Sequence, residues 1–519
     1  MRRLIIFVLL FFTILAPGCS RGTPPAENKT AVSPASTPNP PAWVNYTNKN
    51  DGYQIEVPGA WTLDAGREGI VTRLTSDDHM AIIEIFAQPL NGISASDYLG
   101  YSNQHIVKQE QGVKLLAQNN QPVKKMKAYR LMWQRPQING RSNDLYLYRE
   151  ISLLFPQTVY TFTLKTDPAH FEQYSPVLDH VTESFASCPS VNTLPDSPPA
   201  FTPKDIDLQG KTMHVHIPSD KLMFGIFNPA FHPYKYNPAQ MPLFNKYEDS
   251  LGYHFDFIMT YFTFKQSYPQ TLVDNSYAAG RMMMLTWQPV LIDGPSPANI
   301  TIPNIINGDY DAYIRDWAQH LKVMGEPIFL RFANEMNGDW DPYCAWFFCK
   351  DTDLYIDAWR HIYNIFKAQG ANNVLFVWNP HDRTYPNFKW NSPSCYYPGA
   401  DYVDWVGLTC YNNGTSHSAD KWRSFNQMYQ PVYNDYLRQY PGKPFMITEF
   451  SCNEVGGDKK AWIKDCLASL PNYPNIRIAT WYDQTDGKWL YRLDSTPGAK
   501  EAFRQGISSP YFLRNAITR

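Results

Sequence analysis

Downstream of residue 215 the chain alternates short, near-continuous apolar runs with longer stretches whose apolar residues recur every three or four positions. The runs at 225–228, 255–261, 281–287, 327–333, 374–378, 403–409, 444–448 and 476–481 read as strands. Stretches such as 310–324 and 354–368 read as amphipathic helices, the second stopped by Gly370. A strand covered on both faces has no solvent side, so unbroken apolar runs point to a parallel sheet. Eight strand-helix units over about 300 residues match the size of a closed (β/α)8 TIM barrel. Residues 43–188 carry a different signal: alternation of period two at 53–57, 81–87, 127–133, 144–155 and 158–165, with a closing helix over 171–185. The break at Phe155-Pro156-Gln157-Thr158 reads as a hairpin turn. The expected fold is multidomain, a small α+β domain with an antiparallel sheet over 43–188 followed by the barrel over 205–519. Two Pro-rich stretches, 20–42 and 189–204, read as a tether and a linker.

The first polar residues after a buried parallel strand mark the rim of a barrel, where chemistry is possible. Two of these positions hold glutamates: Glu335 follows the fourth run in FLRFANEMNG, and Glu449 follows the seventh in FMITEF. Two carboxylates brought to one rim can serve as general acid/base and nucleophile on a single glycosidic bond. Arg331, four residues before Glu335, points into the barrel by strand alternation and can hold a carboxylate ionised.

Acid/base on strand four and nucleophile on strand seven is the arrangement of the large retaining clan of barrel glycosidases. Within it the chain resembles glycoside hydrolase family 26, mainly β-mannanases with some β-glucanases and xylanases. The matching stretches are LRFANEMNGDW, NVLFVWNP, DYVDWVGLTCY, KPFMITEF and ATWYD, which cover roughly 215–505 in order. The resemblance implies that Glu335 is the acid/base and Glu449 the nucleophile, that Tyr411 hydrogen-bonds the nucleophile, and that Trp481 floors the sugar being cleaved. Trp340, Trp287, Trp378 and Asn412 read as further cleft-lining residues. One departure is Asn334, where the family's mannanases carry His. Asn is the commoner residue in the wider clan, where its amide meets the sugar 2-hydroxyl, so gluco- and xylo-configured substrates stay open beside mannan. The implied activity is endo-hydrolysis of a β-linked polysaccharide without a cofactor. The alternative is a carbohydrate-binding or scaffolding protein on a degenerate barrel, and retention of both carboxylates argues against it.

Composition narrows the partners. With 46 basic and 48 acidic residues there is no charge excess for nucleic acid, and aromatics at 15% of the chain suit sugar stacking as well as a large core. No Cys/His zinc spacing is present, and His214 and His216 read as surface residues. Arg2-Arg3 and the apolar run 4–15 form a signal peptide, and Leu15-Ala16-Pro17-Gly18-Cys19 resembles a bacterial lipoprotein cleavage box with Cys19 lipidated. An ordinary signal peptide cut near the same place is the alternative, and either exports the chain. The expected address is the cell membrane or outer surface through a lipid anchor, or secretion, with the chain monomeric. Segment 43–188, through YQIEVPGAW and Ser184-Phe185, resembles the PsbP-like domain, and it reads as a spacer or binding module. Apart from Cys19, seven cysteines remain; those after strands four, five and seven are placed to pair across cleft loops in an oxidising compartment, and Cys410 reads as a buried free thiol.

Overall fold

The computed structural model describes residues 42–66, 70–191, 197–291, 299 and 301–519. Cys19 and the tether up to residue 41 lie outside the described residues. Eight parallel strands close into a barrel in sequence order. They are β1 (Met223–Phe227), β2 (Phe257–Thr263), β3 (Met282–Gln288), β4 (Ile328–Phe332), β5 (Val374–Trp378), β6 (Trp405–Asn412), β7 (Phe445–Cys452) and β8 (Ile476–Tyr482). Helices such as Asp311–Met324 and Thr352–Gln369 cover the outside, and Gly370 ends the latter in the left-handed conformation that a residue without Cβ adopts freely.

The segment before the barrel is built on a seven-stranded antiparallel sheet, and strands such as Ala81–Pro89, Thr158–Thr166 and Leu147–Leu154 pair through its centre. Alternation sends Ile83, Ile85, Ile151, Phe162 and Leu164 to one face, where helix Phe171–Glu183 covers them with Leu178 and Val181. The opposite face carries Glu84, Glu150 and Lys165, and it is buried too, because it packs on the loops and helix that follow β4. Lys165 Nζ lies 2.9 Å from each of Glu84, Asp351 and Asp353. Arg73 forks onto Asp353 at 2.9 and 3.0 Å, Tyr148 donates to Asp351 at 2.7 Å, and Lys350 reaches back to Glu150 at 2.7 Å. Phe86, Leu90, Tyr98 and Leu99 join the same apolar cluster as the barrel. A buried charge persists only when it is paired and hydrogen-bonded, and here the partners come from both sides of the junction.

Candidate active site

Ala333 to Glu335 leave β4 in a tight turn, with Ala333 at φ 44° and Glu335 at φ 58°, a region that residues with a Cβ rarely adopt. The surroundings hold this backbone. Glu335 N–H donates to the Asn379 carbonyl at 2.7 Å, Ala333 N–H to the Trp287 carbonyl at 3.1 Å, and the Tyr343 hydroxyl lies 2.9 Å from the Asn334 carbonyl. Strained backbone fixed by its neighbours is a common way to aim a reacting side chain.

Glu449 is placed differently. It lies within β7, not after it, and the register against both neighbouring strands slips at Thr448-Glu449, so two residues of β7 face one on each side. Such a bulge re-aims side chains. Thr448 and Glu449 consequently both point into the barrel, Thr448 Oγ1 meeting Asn379 at 2.8 Å and Glu449 meeting Arg331 and Tyr411.

Arg331 is fully buried beneath the two glutamates. Its Nη1 donates to Glu449 Oε1, its Nε donates to Asn379 at 2.6 Å, and further contacts reach Thr286 and Thr409. Burial works against its charge, but the Glu449 carboxylate overcomes this and raises the guanidinium pKa. The Tyr411 hydroxyl donates to Glu449 Oε2, and burial together with the Glu449 charge keeps that phenol protonated far above its usual range. Tyr261 from β2 approaches the same carboxylate and is raised for the same reasons. Glu449 therefore has a donor on each oxygen, Arg331 on one and Tyr411 on the other. Among the described residues no such pair of donors meets the Glu335 carboxyl. Burial raises its carboxyl pKa, the nearby Glu449 adds to the shift, and His381 and Arg331 oppose it. Two neighbouring carboxyls with environments this different are suited to different roles in one reaction.

A cleft of about 840 Å³ opens over the pair. Asn334, Trp340, Asp341, His381, Tyr482 and Tyr491 are among the residues that line it. The Asn334 amide oxygen accepts from Gln288 at 3.3 Å, so its NH2 remains the group to offer a substrate. Asp341 accepts from the Tyr343 hydroxyl at 2.7 Å; burial pushes its carboxyl up to about 7, with Tyr343 opposing and Glu335 adding.

Three of the expected aromatic cleft residues lie elsewhere. Trp481, Trp287 and Trp378 are fully buried behind the barrel wall. Trp481 packs on Phe450 and Trp462 and donates to the Tyr491 carbonyl, Trp287 stacks on Trp317, and Trp378 meets Tyr397 and Tyr440. Each is one residue short of the inward-facing position, held by Tyr482 in β8, by Gln288 in β3 and by Asn379 after β5. Asn412 is likewise buried outside the cleft, accepting from the Gly414 and Arg423 N–H groups, while Asn413 lines it. His381, Asp341, Tyr261 and Tyr482 were not singled out from the sequence. Counting parity to the end of all eight strands, the rule that found Arg331, would have reached Tyr482. The seven described cysteines are all free thiols, so the expected pairing of cleft loops is not present among the described residues; Cys344 instead points its Sγ at the Glu335 carbonyl. Cys410 is buried, and His214 and His216 are both half-exposed and share Asp207.

Residues 292–443 match the model of Glycosyl hydrolase family 26. That stretch of the barrel is similar to family 26 glycosyl hydrolases. Endoglucanase H of Acetivibrio thermocellus is 34% identical over 248 residues, 47% of this chain and 26% of that protein. Beta-1,3-xylanase TXYA of a Vibrio species is 30% identical over 252 residues, 42% of this chain and 51% of that protein. A mannan endo-1,4-beta-mannosidase of Bacillus subtilis is 33% identical over 182 residues, 33% of this chain and 43% of that protein. The chain thus spans about a quarter to a half of the length of these relatives. The family 26 domain match begins after β3 and ends before β7, so it includes Glu335 and Tyr411 but stops short of Glu449.

Proposed function

We propose that this protein is a retaining endo-β-glycanase that hydrolyses a β-linked polysaccharide by double displacement. The observation that carries the reading is the unequal treatment of the two carboxyls: Glu449 held by Arg331 and Tyr411, and Glu335 desolvated on a strained turn beside it. In the first step a Glu449 oxygen bonds to the anomeric carbon as the glycosidic C–O bond breaks, and the Glu335 proton passes to the departing oxygen. In the second, Glu335 takes a proton from water, whose oxygen bonds to the anomeric carbon as the ester to Glu449 breaks.

The relatives carry names of three specificities, endoglucanase, β-1,3-xylanase and β-1,4-mannosidase. Asn334 presents an amide NH2 where the family's mannanases carry His, and this favours gluco- or xylo-configured chains over mannan. We place the enzyme at the cell surface, anchored through Cys19 and monomeric, with a PsbP-like sheet domain between tether and barrel; the charged and apolar N-terminal segment and the Pro-rich stretch after it support that address. Reducing-end release from mixed-linkage glucan, β-1,3-xylan, cellulose and mannan is the test. Release from at least one, lost in Glu449→Ala, is expected; no release from any of the four would overturn the reading.

A further inference from the structure

Trp340 lines the cleft and is followed by further aromatic side chains. Its ring lies 5.1 Å from His381 and 5.7 Å from Tyr385, which is 37% exposed. Three residues on, Phe388 packs 5.7 Å from Tyr101, a residue of the sheet domain on helix Ala95–Ser102. Tyr101 is 45% exposed, yet its ring packs against both Phe388 and, at 4.9 Å, Trp346. Asp339, adjacent to Trp340, is near enough for its charge to act on the Tyr101 hydroxyl. An aromatic ring that is immobilised by neighbours but left open on the solvent side has no packing role for its exposed part. A ring held by its neighbours and open to solvent can cover the apolar C–H side of a pyranose.

We propose that Tyr101 is a distal sugar-binding platform through which the sheet domain, together with Tyr385, extends the polysaccharide cleft beyond Trp340 on the Glu335 side. The occupant is a further unit of the same β-glycan chain that the barrel cleaves, so the inference rests on the proposed function. It gives the sheet domain a part in substrate binding that its lack of catalytic groups had left open.

The test compares full-length wild type with Tyr101→Ala and Tyr101→Phe. Substrates are the best-cleaved polymer of the panel, oligosaccharides of increasing length from it, and a short aryl glycoside. Tyr101→Ala should lose about five- to tenfold in kcat/KM on polymer and long oligosaccharides, the size expected for one aromatic contact, while aryl glycoside cleavage is unchanged. Tyr101→Phe, which keeps the ring, should behave as wild type. Equal rates on the polymer for Tyr101→Ala and wild type would overturn the platform, as would an equal loss on the short substrate, which marks a structural role. Affinity electrophoresis through the same polymer reads binding without turnover, so a wild type that cleaves nothing but is retarded more strongly than Tyr101→Ala would sink the enzymatic reading and leave the platform standing. Equal retardation would sink the platform alone.

Discussion

Replacing Lys165 by Met should destabilise the protein strongly, although the residue lies on the sheet and far from any reacting atom. Its ammonium is buried, with contacts of 2.9 Å to Glu84, Asp351 and Asp353. Removing it leaves three buried carboxylates, Glu84 and Asp353 with Arg73 and Asp351 with Arg135 and Arg141, short of one cation, the situation that costs about 3–5 kcal/mol when one member of a buried ion pair is deleted. With a urea dependence of about 3 kcal/mol per molar for a protein of this size, the midpoint should fall by about 1–1.7 M at pH 7. The loss has a defined pH window. Burial would raise the Asp353 pKa, but Arg73 and Lys165 overcome it and hold the carboxyl well below its usual range. A depressed carboxylate contributes stability above its unfolded value, near 4, and loses it as pH falls through the folded value. Burial likewise opposes the Lys165 charge, but Asp351 and Asp353 raise it overall, so its contribution is complete below about 10.5 and disappears only at higher pH. The gap between wild type and Lys165→Met should therefore be full from about pH 5 to 9 and narrow below pH 4. Tryptophan fluorescence during urea unfolding at pH 3.5, 5, 7 and 9 measures it. A midpoint within about 0.2 M of wild type at pH 7 would refute the view that the junction is held by these charges.

Asp341, pushed up to about 7 by burial, is neutral in acid and charged in base. A raised folded-state pKa removes stability as pH rises from near 4 through 7, so Asp341→Asn should gain several degrees in Tm over wild type between pH 4 and 8 and none below pH 4; parallel melting curves across that range would contradict this. Asn334→Ala should lower kcat on a gluco- or xylo-configured substrate by about 100-fold with little change in KM, because a contact to the 2-hydroxyl strengthens in the transition state; a change confined to KM would place Asn334 in ground-state binding alone.

The barrel was legible because its strands are buried on both faces. The runs predicted at 374–378 and 476–481 agree with β5 and β8 to within a residue, since nothing polar interrupts them. Glu335 was legible as the point where β4 stops being apolar. The seating of Glu449 was not, because a bulge is a matter of register between strands and leaves no trace in the composition of β7. Trp481, Trp287 and Trp378 show the limit of reading an aromatic at a strand end as a rim residue: parity decides between cleft and helix layer, and one position moves a ring from one to the other. The sheet domain shows a different limit. Its alternation of Ile83 and Ile85 with Glu84 reads as one buried and one solvated face, whereas the polar face is buried by complementary charges more than 180 residues away in sequence, which no local pattern records. The Pro-rich stretches that flank it suggested a separable spacer, but the contacts of Lys165, Arg73 and Tyr148 with the segment after β4 tie it to the barrel.

Chemical rescue tests the division of labour between Glu335 and Glu449 most directly. Without its acid/base, Glu335→Ala should still form the glycosyl-enzyme from an aryl glycoside whose leaving group departs unprotonated, and added azide should replace the base-activated water in the second step. The account predicts that azide accelerates Glu335→Ala and yields a β-glycosyl azide of retained configuration, identified by the anomeric coupling in its proton NMR spectrum, while Glu449→Ala gives no such product. Rescue confined to Glu449→Ala, with an α-glycosyl azide of inverted configuration, would contradict it and exchange the roles of the two residues.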